Sequence, residues 1–186
     1  LNPVSSLSRE LASRINGFPQ IEKKKILLIG GGALGSQIFM NLVRMGFGEW
    51  IIVDDDCLLP HNLARHALAN DFLGYPKAEM LAYQANNIIK GEKIAHAIVA
   101  DVLSNSNLSN QLETAFNSTQ IIIDASTSIP VARHIARDIN SPARRISIFL
   151  SPSGKDVIML AEDENRSITL DCLEMQYYRC LINEPT

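Results

Sequence analysis

The sequence predicts an α/β fold of the Rossmann-like kind: a mostly parallel central sheet with helices on both faces. Short apolar runs of strand length alternate with segments of helical periodicity along the chain, the pattern of successive βαβ units. One such run, Ile26-Leu27-Leu28-Ile29, passes directly into Gly30-Gly31-Gly32-Ala33-Leu34-Gly35 and then into an apolar helical pattern. Strand, glycine loop and helix in that order make a nucleotide-binding unit. The 186 residues, 46% of them hydrophobic and 20% charged, suffice for one domain with a closed core. No repeat and no Pro/Gly/Ser-rich linker divides them, so one domain over residues 1–186 is expected.

Each element has its own signal. Ser5 to Asn16 reads as a short helix, with Leu7, Leu11 and Ile15 four residues apart and Gly17 and Pro19 as the stop. The first strand follows the basic run Lys23-Lys24-Lys25, which reads as a solvated approach to it. The helix opened by the glycine loop runs to about Met45, where Gly46 and Gly48 break it. Trp50 to Val53 is the next strand, ending in Asp54-Asp55-Asp56, and a short helical stretch is expected at Asn62 to Ala69. Pro76 suits the first turn of a helix through Ile89, closed by Gly91. Lys93 to Val102 alternates as a strand does, Leu108 to Phe116 is helical, and Gln120 to Asp124 is a continuous apolar strand closing on an acid. A helix over Pro130 to Ile139, strands at Arg145 to Leu150 and Val157 to Ala161, and a helix after Thr169 complete the pattern.

Composition excludes several functions. A formal net charge of -3 and a pI near 5.8 argue against a general nucleic-acid binder. The longest apolar runs, Ile26 to Ile29 and Ile121 to Ile123, fall far short of the roughly 18–20 residues of a membrane span. Cys57, Cys172 and Cys180 show no framework spacing, which fits a reduced, cytoplasmic protein. The start, Leu1-Asn2-Pro3, lacks both a signal-peptide pattern and an initiator Met, and a longer parent protein is expected.

Gly30, Gly32 and Gly35 form a G-x-G-x-x-G whose backbone amides suit a phosphate. Asp54, 19 residues beyond Gly35, stands where an acid accepts from ribose hydroxyls. A nicotinamide dehydrogenase and an ATP enzyme both use such a loop. Asn62, Arg65 and Lys77 follow the ribose strand. Cations there suit a triphosphate, whose charge exceeds what helix amides offset. Asp124, at the carboxyl end of an apolar strand, points toward the ligand crevice of an open α/β sheet, and one carboxylate with phosphate oxygens makes a plausible Mg²⁺ shell.

These segments, in order, resemble the ThiF/MoeB/HesA family, relatives of the ubiquitin-activating enzymes: Ile29 to Gly35, Val53 to Asp56, Asn62-Leu63-x-Arg65, Gly74-x-x-Lys77-Ala78 and Ile123-Asp124-Ala125. The resemblance covers about residues 20–150. It implies ATP- and Mg²⁺-dependent adenylation of the C-terminal glycine of a ubiquitin-like or sulfur-carrier protein by a dimeric enzyme. By the same resemblance, Gly30, Gly32 and Gly35 form the nucleotide loop and Asp54 holds the ribose. Asn62, Arg65 and Lys77 contact the phosphates, Asp124 binds Mg²⁺, and Asp56 is a further acid near the nucleotide. Arg9 or Arg14 matches an N-terminal arginine that some relatives send across the dimer to the partner's ATP; a solvated helix charge is the alternative.

The chain departs from the family in places. His66 stands where many relatives have Gln, and is expected to be solvated or to cap. Tyr177-Tyr178-Arg179-Cys180-Leu181 replaces a segment that carries a zinc C-x-x-C in relatives, so zinc is not expected, and Cys172 and Cys180 read as buried helix packing. Cys57 reads as structural, and a thioester-forming cysteine would lie beyond Thr186. His61 and His66 flank Asn62 and are expected at the rim of the pocket, whereas His96 and His134 read as residues without partners. Arg133, Arg137, Arg144 and Arg145 form either a surface for an acidic partner or a wet helix face. Other readings stay open: adenylation of a tRNA base or peptide by the same fold, an NAD-dependent oxidoreductase, or an inactive dimerising pseudoenzyme.

Overall fold

The structure, a computed structural model, describes residues 6–104 and 109–183, and the expected helix starts at Ser5 and Leu108 lie outside the described residues. The chain opens with α1 (Arg9–Ile15), capped by Ser8, whose hydroxyl accepts from the Leu11 N–H at 3.2 Å. Next come β1 (Lys25–Ile29), α2 (Ala33–Arg44) and β2 (Glu49–Val53). Two 3-10 turns, Pro60–Ala64 and Asn70–Phe72, stand in place of the expected stretch at 62–69. There follow α3 (Lys77–Ile88), β3 (Ala95–Ile98), α4 (Ser109–Ser118), β4 (Ile121–Asp124) and α5 (Ile129–Arg137). The chain closes with β5 (Arg144–Leu150), β6 (Val157–Ala161) and α6 (Leu170–Asn183).

The six strands lie in the order β3-β2-β1-β4-β5-β6. β1 to β5 run parallel and β6 pairs antiparallel with β5, so the mostly parallel sheet is as expected. The two-residue period of β1 explains why helices must cover both faces. Ile26 and Leu28 enter one core with Phe39, Met40 and Val43 of α2 and Leu81 and Ala85 of α3. Leu27 and Ile29 enter a second core with Leu112 and Phe116 of α4 and Val131 and Ile135 of α5. After β1 the chain goes to β2 on one side, while β4 lies on the other. This reversal opens a crevice at the carboxyl ends of β1 and β4, the position where open α/β sheets bind ligands.

Several side chains lie elsewhere than the sequence suggests. Arg9 is neither solvated nor free to cross a dimer interface: it is 1% exposed. Its Nε donates to Gly46 O at 3.2 Å and its Nη2 to Gly48 O at 2.7 Å and Glu22 O at 3.0 Å. Nη1 faces Glu92 at 3.3 Å and Glu49 at 3.6 Å. A planar fork of five donors can serve several carbonyls at once, and here it ties α1 to the amino-terminal ends of β1 and β2, the edge opposite the crevice. Arg14 is exposed.

The arginine stretch is largely used within the fold. Arg145 is buried with Nη2 on Ile139 O, Arg144 Nε donates to Glu162 O, and Arg137 Nε meets Asp171 at 3.3 Å. His134 has a partner after all, Asp138, at 2.9 Å. All three cysteines are exposed rather than packed. Among the described residues, no helix is long and apolar enough to cross a membrane.

Candidate functional site

Each motif glycine has a different task. Gly30 leaves β1 at φ +88°, and a Cβ there would lie 2.6 Å from the Cα of Ser126, so the loop after β4 comes this close only because the residue is glycine. A Cβ on Gly35 would fall 2.0 Å from Gly30 O, so this glycine lets α2 pack against its own loop. A Cβ on Gly32 would meet nothing within 4 Å, because Gly32 opens on a cavity of about 510 Å³. As the N-cap of α2, Gly32 also sets that helix's positive end at the cavity.

Gly30, Gly32, Asp54, Asp56, Arg65 and Lys77 line this cavity together. The Asp54 carboxylate accepts the Gly31 N–H on Oδ2 at 2.7 Å and the Asp56 N–H on Oδ1 at 2.9 Å. Each oxygen keeps a second lone pair for a ligand hydroxyl. Burial pushes the Asp54 carboxyl up, against those two N–H groups and Lys77, which favour the anion. Asp56 and Lys77 meet because the chain at Cys57 pairs antiparallel with Pro76. The Lys77 N–H donates to Asp56 O at 2.9 Å, and Lys77 Nζ lies 2.6 Å from Asp56 Oδ2.

Arg65 ends the 3-10 turn and is exposed to the cavity. Its segment is stitched to α2: Gln37 Nε2 donates to Arg65 O at 3.2 Å, and the Ala67 N–H donates to Ser36 Oγ at 3.1 Å. Asn62 and Gly35 are not cavity walls. The Asn62 side chain accepts from the Leu59 N–H at 2.9 Å and so shapes the turn that carries Arg65.

Asp124 is buried, and its Oδ1 accepts from the Ser126 N–H at 3.0 Å and the Ser126 hydroxyl at 2.6 Å. Burial pushes its carboxyl up, opposed by the Ser126 hydroxyl and N–H and the Ser147 hydroxyl. Among the described residues no lysine or arginine pairs with it. A buried carboxylate without a protein cation, at the end of β4 beside the cavity, is a donor suited to a divalent cation. Asp124 lines a neighbouring apolar trough of about 250 Å³, between α5, α6 and β5. The trough shares Thr127, Ser128 and Leu150 with the larger cavity.

Three parts of the site escaped the sequence reading. Ala100 to Leu103, beyond β3, form one cavity wall; their place at a strand's carboxyl end was the available signal. Ser126 to Ser128 form another, with Thr127 at φ +58°, a costly conformation for a β-branched residue. His66 is not solvated, and neither it nor His61 lines the cavity. His66 is 7% exposed, with Nε2 2.6 Å from Gly31 O and Nδ1 accepting the Leu68 N–H at 3.0 Å.

The chain is similar to several known proteins. Cap2 of Enterobacter hormaechei, an ATP-dependent ubiquitin transferase-like protein, is 41% identical over 80 residues, covering 43% of this chain and 13% of that protein. Cap2 of Vibrio cholerae is 32% identical over 171 residues, covering 82% and 27%. The SAMP-activating enzyme E1 of Haloferax volcanii is 29% identical over 124 residues, covering 66% and 43%. The crystal structure of E. coli MccB with succinimide shares the fold at a TM-score of 0.64 and 17% identity, over 88% of this chain and 48% of that one. The chain spans less than half the length of each of these relatives. The sequence model of the ThiF family matches residues 7–149, from before α1 into β5 and through the glycine loop, and the chain belongs to the ThiF family.

Proposed function

We propose that this domain binds ATP in the cavity at the glycine loop and transfers its adenylyl group to the C-terminal carboxylate of a ubiquitin-like or sulfur-carrier protein. The observation that carries this reading is the convergence of Arg65 and Lys77 with Gly32 and Asp54 on one cavity. A dinucleotide's pyrophosphate rests on helix amides alone and leaves those cations without a task. The names of relatives agree, among them an adenylyltransferase and sulfurtransferase of Arabidopsis thaliana, 30% identical over 125 residues.

In this reading Asp54 orients the ribose and Gly32 faces the phosphates. The partner's carboxylate attacks the α-phosphorus, a P–O bond forms, and the bond to the departing pyrophosphate breaks, leaving an acyl-adenylate. A carboxylate is already ionised at neutral pH, so no general base is needed. Arg65 and Lys77 offset charge on the leaving group, and the domain's contribution is alignment and electrostatics. Asp124 would hold Mg²⁺, which would withdraw charge from the phosphate oxygens. The trough beside Asp124 gives the partner's tail a route to the α-phosphate.

ATP–pyrophosphate exchange tests the proposal, with the longer protein and residues 1–186 each assayed with and without candidate ubiquitin-like partners. Partner-dependent exchange that is lost in Asp124→Asn is the expected result. Binding of NADH without binding of ATP would sink the proposal.

A further inference from the structure

His66 is the one buried histidine among the described residues, and its two ring nitrogens have different partners. Nε2 lies 2.6 Å from a carbonyl oxygen, that of Gly31, which can only accept. Nδ1 receives the Leu68 N–H at 3.0 Å, so it carries no proton. These contacts allow only the neutral ring with its hydrogen on Nε2. Burial, with Lys77 as a further cause and against the Gly31 carbonyl, which favours the charged ring, holds the imidazole below its usual range.

The contact matters because of the peptide it grips. Gly31 O and the Gly32 N–H belong to one planar trans peptide and point in opposite directions. Donation from His66 draws the carbonyl away from the cavity, which Gly32 lines and Gly31 and His66 do not. The Gly32 N–H is thereby turned to the opposite side, and among the described residues it has no hydrogen-bond acceptor. On the other flank, the Gly31 N–H is held by Asp54 at 2.7 Å. Gly31 is therefore fixed at both its polar atoms, although glycine is the residue freest to rotate them. The same ring adjoins Arg65 in the chain, so one side chain sets both the loop amide and the segment carrying the cation.

We propose that His66 is a positioning residue for the bound nucleotide's phosphates: its Nε2–H orients the Gly31–Gly32 peptide so that the Gly32 N–H faces the cavity, and anchors the Arg65 segment to that peptide. This rests on the reading of the cavity as an ATP site. The ring touches no ligand itself and acts through Gly32 and Arg65.

Isosteric variants separate positioning from packing. The Nε2 of a glutamine amide reaches the position of the histidine Nε2, while an asparagine reaches only that of Nδ1. Calorimetric titration with ATP and with adenosine is compared for wild type, His66→Gln, His66→Asn and His66→Ala, with circular dichroism as a check of folding. His66→Asn and His66→Ala are expected to weaken ATP about tenfold, the loss of one well-placed hydrogen-bonding arrangement. Adenosine binding stays within about twofold, and His66→Gln restores ATP binding to within about threefold. Equal ATP affinity in all four proteins, or a glutamine variant as weak as the asparagine one, overturns the proposal. If wild type binds no ATP, the nucleotide reading fails and the phosphate role falls with it. Long-range ¹H–¹⁵N spectra of the wild-type ring give a second readout that requires no variant to fold and no nucleotide. The proton on Nε2 supports the proposal, and a proton on Nδ1 overturns it.

Discussion

Replacing Arg9 by alanine separates two roles for an N-terminal arginine, because a structural staple and a residue that reaches a partner's ATP give opposite outcomes. The guanidinium serves Gly46 O, Gly48 O and Glu22 O, and faces Glu92 and Glu49. Truncation leaves three carbonyls without these donors, two of them in buried bonds, and also removes the packing of a side chain that is 1% exposed. Glu22 O keeps the Gly48 N–H at 2.9 Å, so two acceptors are orphaned, and at about 1–2 kcal/mol each the cost is about 3 kcal/mol. The glutamates contribute little to that figure, since both are about one-third exposed and their retained charge is solvated. For a domain of this length each kcal/mol lowers Tm by about 2–4 °C, so a fall of about 10 °C is expected by calorimetry. Arg9→Lys should recover only a minority of it, because one ammonium cannot fork to three carbonyls. Nucleotide affinity, measured well below the lowered Tm, should stay near that of wild type. An unchanged Tm with lost nucleotide binding or exchange would falsify the staple and restore the trans-acting reading.

Gly32→Ala and Gly35→Ala should part company. The first should melt with wild type yet lose ATP binding, since its methyl enters the open cavity. The second should lower Tm sharply, because its methyl meets Gly30 O. Equal melting of the two would refute the division of labour. Lys77→Met should weaken ATP by about tenfold or more with little change in Tm, because the Asp56 carboxylate left behind is 70% exposed; titration of ATP against adenosine checks it. His66 makes stability depend on pH. Its folded pKa lies below the unfolded value, so the unfolded chain takes up the proton first, and stability falls as pH drops through about 6.5. Urea unfolding at pH 7.5 and 5.5 should show wild type losing on the order of 1 kcal/mol more than His66→Gln between the two. Equal losses would remove the buried neutral histidine.

What was legible in the sequence follows from the range of the interactions involved. β1 and the glycine loop were readable because their causes are local: a two-residue apolar period, and backbone turns that only glycine makes cheaply. Asp54, Arg65 and Lys77 were readable because charged residues that follow a strand's carboxyl end need a reason. Arg9 was not, because its partners are main-chain carbonyls at Glu22, Gly46 and Gly48, which no residue type announces. His66 escaped likewise, its partner being the carbonyl of Gly31, 35 residues away. The cysteines of α6 were misread although the signal was available. Leu170, Glu174, Tyr177 and Leu181 share the face toward the trough, and Cys172 and Cys180 fall off that stripe.

The crevice also explains why the supporting residues carry no motif. Arg65 stands on an irregular segment after a 3-10 turn, where no helix or strand ladder fixes the backbone. Its placement rests on bonds to the first turn of α2 and the glycine loop, through Gln37, Ser36 and His66. These groups set the distance between Arg65 and the glycine loop, and in the proposed reaction charge stabilisation would depend steeply on that distance. Several side-chain types can supply such a bond to the main chain, as the amide of Gln37, the hydroxyl of Ser36 and the ring of His66 do here. A cation meeting a phosphate, or a glycine with no room for a methyl, allows far fewer substitutes. The positioning layer can therefore vary in residue type while its geometry is kept.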